Sequence, residues 1–179
     1  MDENAADAPI QTALARDDPA AIELLWDRYA ADLLAFLAAR LCSRDAAEDV
    51  LQTLFVTIVR KRRTLARAQY LAAYLYRMAR HETATYLRRC RHGRRDTVEA
   101  RPWLTVRENQ GQQYDLAEYL QAALARLPQA QREIVVLKVY REKTFKEIAR
   151  LLGISPNTAA SRYRYGMDRL RSLLEDPVP

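Results

Sequence analysis

An all-α fold, two small helical domains joined by a linker with the C-terminal one a helix-turn-helix, is predicted by three observations. Apolar residues recur at three- and four-residue spacing through most of the chain, the period of one helix face. Only 4 of the 179 residues are Gly, and β-branched runs are few, which argues against sheet. After Thr144, a short capped helix, a Gly-containing turn and a second capped helix follow in order, the punctuation of a helix-turn-helix.

Residues 1–17 are acidic and read as a frayed tail. Asp18-Pro19 then opens a helix, with Asp as cap and Pro in the first turn. Ile22, Leu25, Trp26, Tyr29, Leu33, Phe36, Leu37 and Leu41 form its apolar stripe, which breaks at Cys42-Ser43-Arg44. Asp45 starts the next helix, with Val50, Leu51, Leu54, Phe55, Ile58 and Val59 on one face and Glu48, Asp49, Gln52 and Thr53 opposite. Arg60-Lys61-Arg62-Arg63 reads as a basic loop. Tyr70 to Arg91 is helical again, and closes a first domain over residues 18–92.

Residues 93–113, with Pro102 and Gly111, have linker composition, although Trp103, Leu104 and Val106 could dock as a short anchor. A second domain covers residues 114–179. Its first helix carries Leu116, Tyr119, Leu120, Ala123, Leu124 and Leu127 and stops at Pro128. A second carries Ile134, Val135, Leu137, Val139 and Tyr140. Thr144 and Glu147 fit a capping box before the helix Phe145–Leu152. Gly153-Ile154 makes the turn, Ser155-Pro156 caps the last helix, and Ala159, Tyr163, Gly166 or Met167, Leu170 and Leu174 form its inward line.

Charge is distributed unevenly. Residues 1–59 carry 4 basic against 11 acidic side chains, residues 60–95 carry 12 against 1, and residues 96–179 carry 13 against 11. The middle segment therefore suits a polyanion, and the acidic front suits a basic partner or contact with residues 60–95 themselves. Cys42 and Cys90 have no CxxC spacing, so neither zinc nor a disulfide is expected. The acidic start differs from a signal peptide, no apolar run reaches the ~20 residues of a membrane span, and a cytoplasmic chain without membrane insertion is expected. Two His and two Cys without metal spacing, no Gly-rich phosphate loop and no nucleophile elbow argue against an enzyme and against any cofactor.

Two surfaces carry chemistry. At about 100° per residue, Tyr70, Tyr74, Arg77, Arg80, His81, Ala84, Arg88 and Arg91 share one side of their helix. Leu71, Leu75, Met78 and Tyr86 lie on another. Cations interleaved with aromatic rings suit phosphates and unstacked bases; the bland alternative is a solvated charged face. In the last helix, Asn157, Thr158, Ala160, Ser161, Arg164, Tyr165 and Asp168 face outward or toward the helix start, with Arg162 behind. Small polar residues there suit base edges in a major groove, with arginines on phosphates. A purely structural helical hairpin is the alternative.

AEDVLQTLF (47–55) and AYLYRMARHETATYLRR (73–89) resemble region 2 of bacterial RNA polymerase sigma factors of the extracytoplasmic-function type. LPQAQREIVVLKVYREKTFKEIARLLGISPNTAASRYRYGMDRLR (127–171) resembles their region 4. The resemblance implies a factor that binds core RNA polymerase, recognises the −10 and −35 promoter elements and helps melt the promoter. It implies docking on the β′ clamp helices through Asp45, Glu48, Asp49, Leu51 and Gln52. It assigns the −10 element to Arg62, Arg63, Arg67, Tyr70, Tyr74, Arg77, Arg80, His81 and Arg88. The −35 element falls to Asn157, Thr158, Ala160, Ser161, Arg162, Arg164 and Tyr165, with region 4 on the β flap. An anti-sigma factor is a further partner it implies.

Departures from the family pattern are Tyr74 and His81, where Trp and Asn are usual, Arg67-Ala68-Gln69 in the preceding loop, and Ala159 and Ala160 in the last helix. Tyr74, His81 and the altered loop leave open the alternative of a sigma-like DNA-binding regulator that lacks polymerase docking or melting.

Overall fold

A computed structural model describes residues 3–93 and 116–175, and the described residues form nine helices with no strand. The all-α expectation holds. The linker's Trp103, Leu104 and Val106 lie outside the described residues.

The frayed tail expected over residues 1–17 is instead a helix, α1 (Glu3–Ala15). Ile10 and Leu14, one turn apart, are 3% and 1% exposed. The buried Asp7 accepts from Arg28 Nε at 2.8 Å and from the Tyr29 hydroxyl at 2.5 Å. A buried carboxylate with two donors is tolerated where an unpaired one would not be. Burial and the hydrogen bond to Asp7 push the Tyr29 hydroxyl well above its ordinary range. Both partners come from α2 (Ala20–Leu41), more than twenty residues along the chain, and Pro9 inside α1 hides the helix from local rules.

α2 ends at Cys42, which takes a left-handed conformation at φ 52°. α3 (Arg44–Arg60) starts on Ser43, whose Oγ accepts from Ala46 N at 3.3 Å. The expected basic loop contains a further short helix, α4 (Arg62–Ala66), pinned by buried Leu65. α5 (Leu71–Gly93) follows. Leu33, Phe36, Leu54, Ile58, Leu75 and Tyr76 are all buried between α2, α3 and α5, with Phe36 and Tyr76 edge-on at 4.9 Å.

The second domain comprises α6 (Leu116–Ala125), α7 (Gln129–Val135), α8 (Phe145–Leu152) and α9 (Pro156–Glu175). α7 runs on through a π-helical turn, Val136–Tyr140. Gly166 lets α9 lie close on α7: a Cβ there would fall 3.1 Å from Val135 Cγ2. Arg132, also buried, donates Nη1 to the carbonyls of Ala125 at 2.8 Å and Leu127 at 3.3 Å, and Nε to that of Ala39. One guanidinium thus serves carbonyls at the ends of α6 and α2 that have no helical partner.

The two domains are packed against each other. Ile134, Leu137, Ile148, Leu151 and Leu152 belong to the same apolar cluster as the α2 and α5 residues. Arg40 pairs with Glu133, while Arg141 and Lys143 converge on Asp32, the lysine at 3.2 Å. Burial, acting against the nearby arginines, holds the Glu133 carboxyl above the ordinary carboxylate range.

Candidate nucleic-acid interface

The periodicity of α5 divides it as its sequence predicts. Leu71, Leu75, Tyr76, Met78 and Ala79 are buried, whereas Tyr70, Arg77, Arg80, His81 and Arg88 are exposed and Tyr74 is half-buried. The Arg77 guanidinium lies 4.5 Å from the Tyr74 ring centroid, close enough for cation–π attraction. That contact holds one ring face of Tyr74 among cations.

Next to it opens a cleft of about 470 Å³ whose walls include Tyr70, Tyr74, Arg77, Arg80, Arg150 and Gly153. The last two come from the helix-turn-helix. Arg150 lies over the Tyr70 ring at 5.0 Å, and Arg80 Nη1 donates to the Leu152 carbonyl at 3.1 Å. Four of the −10 candidates therefore meet at one cleft, and His81 and Arg88 extend the same helix. Arg67 is exposed at the end of α4. Arg62 and Arg63 share one carboxylate: Arg62 Nε donates to Asp17 Oδ1 at 2.5 Å and Arg63 Nη2 to Asp17 Oδ2 at 3.3 Å. The bond from Arg62, then that from Arg63, holds the Asp17 carboxyl below the usual range.

On α3, Asp45, Glu48, Asp49 and Gln52 are exposed along one side, with Arg44 Nε bonded to Glu48 at 2.9 Å. Leu51, grouped with them above, is 4% exposed and packs in the core. Its place in the apolar stripe outweighs its adjacency to Gln52, so the exposed face is the four polar residues. Trp26 was missed. It is 46% exposed, with its ring 4.8 Å from Phe55 of α3, and only its large apolar area in an otherwise buried stripe could have signalled it.

The helix-turn-helix is built by caps. Thr144 N and Oγ1 both donate to Glu147 Oε2 at 2.6 Å, and Glu147 N donates back to Thr144 Oγ1 at 3.3 Å. Those bonds keep the Glu147 carboxyl below its ordinary range. Gly153 ends α8 at φ 67°, a left-handed conformation that suits glycine. Ser155 Oγ then accepts from Thr158 N at 3.0 Å to begin α9. On α9, Asn157, Arg164 and Tyr165 are exposed, and Thr158, Ala160, Ser161 and Arg162 are half-buried. Ser161 Oγ donates to the Asn157 carbonyl at 2.6 Å, which leaves its lone pairs to accept a bond from outside. Tyr163 turns inward, edge-on to Phe145 at 5.6 Å.

Among the described residues, no group of three or more His, Cys, Asp or Glu is placed to hold a metal ion. No described helix is long and apolar enough to cross a membrane. Cys42 and Cys90 are free thiols, and burial pushes that of Cys42 up.

A basic aromatic helix face, a separate acidic helix face and a capped helix-turn-helix make up two helical domains of a kind that suits DNA binding. Residues 25–93 match the family model for Sigma-70 region 2, and residues 117–170 match that for Sigma-70, region 4. The RNA polymerase sigma factor CarQ of Myxococcus xanthus is 33% identical over 159 residues, 86% of this chain and 89% of that one. The ECF RNA polymerase sigma factor RpoE of Cereibacter sphaeroides is 28% identical, covering 86% of each chain. Among solved structures, the sigma factor RpoE from Bartonella quintana, in complex with the anti-sigma factor NepR, superposes with a TM-score of 0.63 at 24% identity. That match covers 82% of this chain and 91% of the other. CnrH, in complex with the cytosolic domain of CnrY, superposes at 0.64 with 20% identity over 95% and 97%. The chain belongs to the extracytoplasmic-function sigma factors of the sigma-70 family. Such proteins are transcription initiation factors that work with RNA polymerase.

α1 lies outside both matched regions. Its docking, the Arg150–Tyr70 stack and the ion pairs of Asp17 carry no local motif, because each depends on long-range packing.

Proposed function

We propose that this chain binds core RNA polymerase through Asp45, Glu48, Asp49 and Gln52, reads and opens the −10 element with α4 and α5, and reads the −35 element with α9. The observation that carries the reading is the separation of two faces on packed helices: four exposed polar or acidic residues on α3, and exposed Arg77, Arg80, His81 and Arg88 on α5, with exposed Tyr70 just before it and half-buried Tyr74 beside them. Acidic residues suit a basic protein partner and repel DNA; the arginines do the reverse. Melting needs a place for an unstacked base, and aromatic rings flanked by cations supply stacking and phosphate neutralisation together.

In this reading the β′ clamp helices and β flap are the polymerase contacts, Tyr74 offers its ring to an extruded base, and His81 supplies a hydrogen-bond partner. α9 places Asn157, Thr158, Ala160 and Ser161 toward base edges, with Arg162, Arg164 and Tyr165 flanking. Loading on a promoter requires α8 to leave α5, because Arg150 and the Leu152 carbonyl engage Tyr70 and Arg80. The structural relatives are complexes with the anti-sigma factor NepR and with CnrY. A partner of that kind would act here by holding α8 on α5.

Size-exclusion chromatography with purified core polymerase at low salt tests the docking half: the chain co-elutes with core, and separate elution contradicts the reading. A second reading, a regulator without docking or melting, is favoured by Tyr74 lying half-buried under Arg77. It predicts duplex binding through α9 with no retention by core polymerase.

A further inference from the structure

Arg62 and Arg63 are two of the cations assigned to DNA, yet both are engaged in the folded chain. Each makes one bond to a different oxygen of the Asp17 carboxylate, so one anionic group gathers both cations, as a phosphate with its several acceptor oxygens does. The turn that closes α1 delivers this carboxylate. Asp17 N donates to the Leu14 carbonyl and Asp18 N to that of Ala13, at 3.4 and 3.0 Å. Asp17 itself takes φ 54°. Buried Ile10 and Leu14 hold α1 in place, and Gln11 Nε2 donates to the Ala68 carbonyl at 2.6 Å, in the loop that leads to Tyr70.

We propose that Asp17 is a built-in phosphate mimic that occupies Arg62 and Arg63 in the free chain and is displaced by the DNA backbone when the −10 segment is engaged. α1 is then the positioning element that presents it. This rests on the reading of α4 and α5 as a DNA surface and adds to it a competitor within the chain. The pair is exposed enough for exchange: the Asp17 side chain is 39% accessible, Arg62 39% and Arg63 80%. A solvent-exposed ion pair is weak, as a displaceable clamp has to be. Its neighbour Asp18 carries the same charge but accepts from Ala20 N at 3.0 Å, at the start of α2. A substitution there changes net charge without touching the clamp.

The experiment is fluorescence anisotropy of the full-length chain with a mixed-sequence single-stranded 20-mer DNA across a salt series, comparing wild type, Asp17→Asn and Asp18→Asn. Asn retains the shape and readily takes the left-handed backbone at residue 17. Once Asp17 is displaced the arginines meet the same phosphates in either protein, so the salt slope is unchanged; Asp17→Asn strengthens binding relative to Asp18→Asn by what opening the exposed ion pairs costs, about two- to fivefold. Adding Arg62→Ala and Arg63→Ala to Asp17→Asn removes the gain. Equal affinity for the two single variants, or weaker binding by Asp17→Asn, overturns the proposal. Arg80→Ala in the same series separates the two levels. If it weakens binding while the Asp variants are equal, only the clamp fails; if it too changes nothing, the DNA surface fails with it.

Discussion

Arg80 and Arg88 illustrate what a single residue on α5 contributes. Both are exposed, and Arg80 already donates to a main-chain carbonyl of the helix-turn-helix. In the holoenzyme, Arg80→Ala or Arg88→Ala lowers promoter affinity across sequences and reduces the salt slope by about 0.7 to 0.9 each, measured by filter binding over a salt series. Asp49→Ala acts on the other face: it weakens core polymerase binding in a competition assay and leaves DNA affinity of the free chain unreduced. Every −10 and −35 residue other than the half-buried Tyr74, Arg62, Thr158, Ala160, Ser161 and Arg162 is exposed as the helical period implies. Leu51 is the polymerase-face residue that the period places differently from its neighbours, since position on the wheel and not proximity in sequence decides which side it faces. Trp26, by contrast, fits the buried period and yet is half out of the core, a choice made by packing against Phe55.

At the scale of elements, caps were legible and long-range docking was not. Thr144 and Glu147 read as a capping box from the residues alone, and both reciprocal bonds are present. Thr144→Ala costs about 1 kcal/mol of stability, seen as a lower midpoint in urea. Glu147 is depressed in the fold by its bonds to Thr144, so the unfolded chain takes up its proton first as pH falls. Its contribution is complete above the ordinary value of 4.5 and is lost as pH drops through and below that value. A Glu147→Gln variant therefore differs most from wild type at neutral pH and least in acid. α1 shows the opposite case. Its local signals are a net acidic charge and an internal Pro, and only the partners Arg28, Tyr29, Ala68 and the core under Leu14 make it a helix. Leu14→Ala destabilises the protein by about 2 to 5 kcal/mol, measured by denaturant unfolding. A frayed tail would give no change.

For the molecule as a whole, two domains, and an acidic and a basic face on the first of them, were readable from charge blocks and periodicity, but the packing of one domain on the other was not. α7 rests on α2 and α8 on α5 through Ile134, Leu137, Leu151 and Leu152, framed by Arg40–Glu133 and by Asp32 with Arg141 and Lys143. None of these pairs has a local signature. Removing one partner leaves a charge poorly compensated, so Asp32→Asn loosens the packing of the second domain on the first. The expected sign is a larger radius of gyration in solution scattering. The role proposed for this chain is to direct polymerase to a promoter and open it. The most direct test is transcription from genomic fragments by purified core polymerase with and without the full-length chain, with strand opening mapped by permanganate reactivity of thymines. Discrete start sites and reactive −10 thymines are expected only when the chain is present, and both are lost with Arg77→Ala/Arg80→Ala. Core binding without any discrete transcript or reactive thymine would contradict that role.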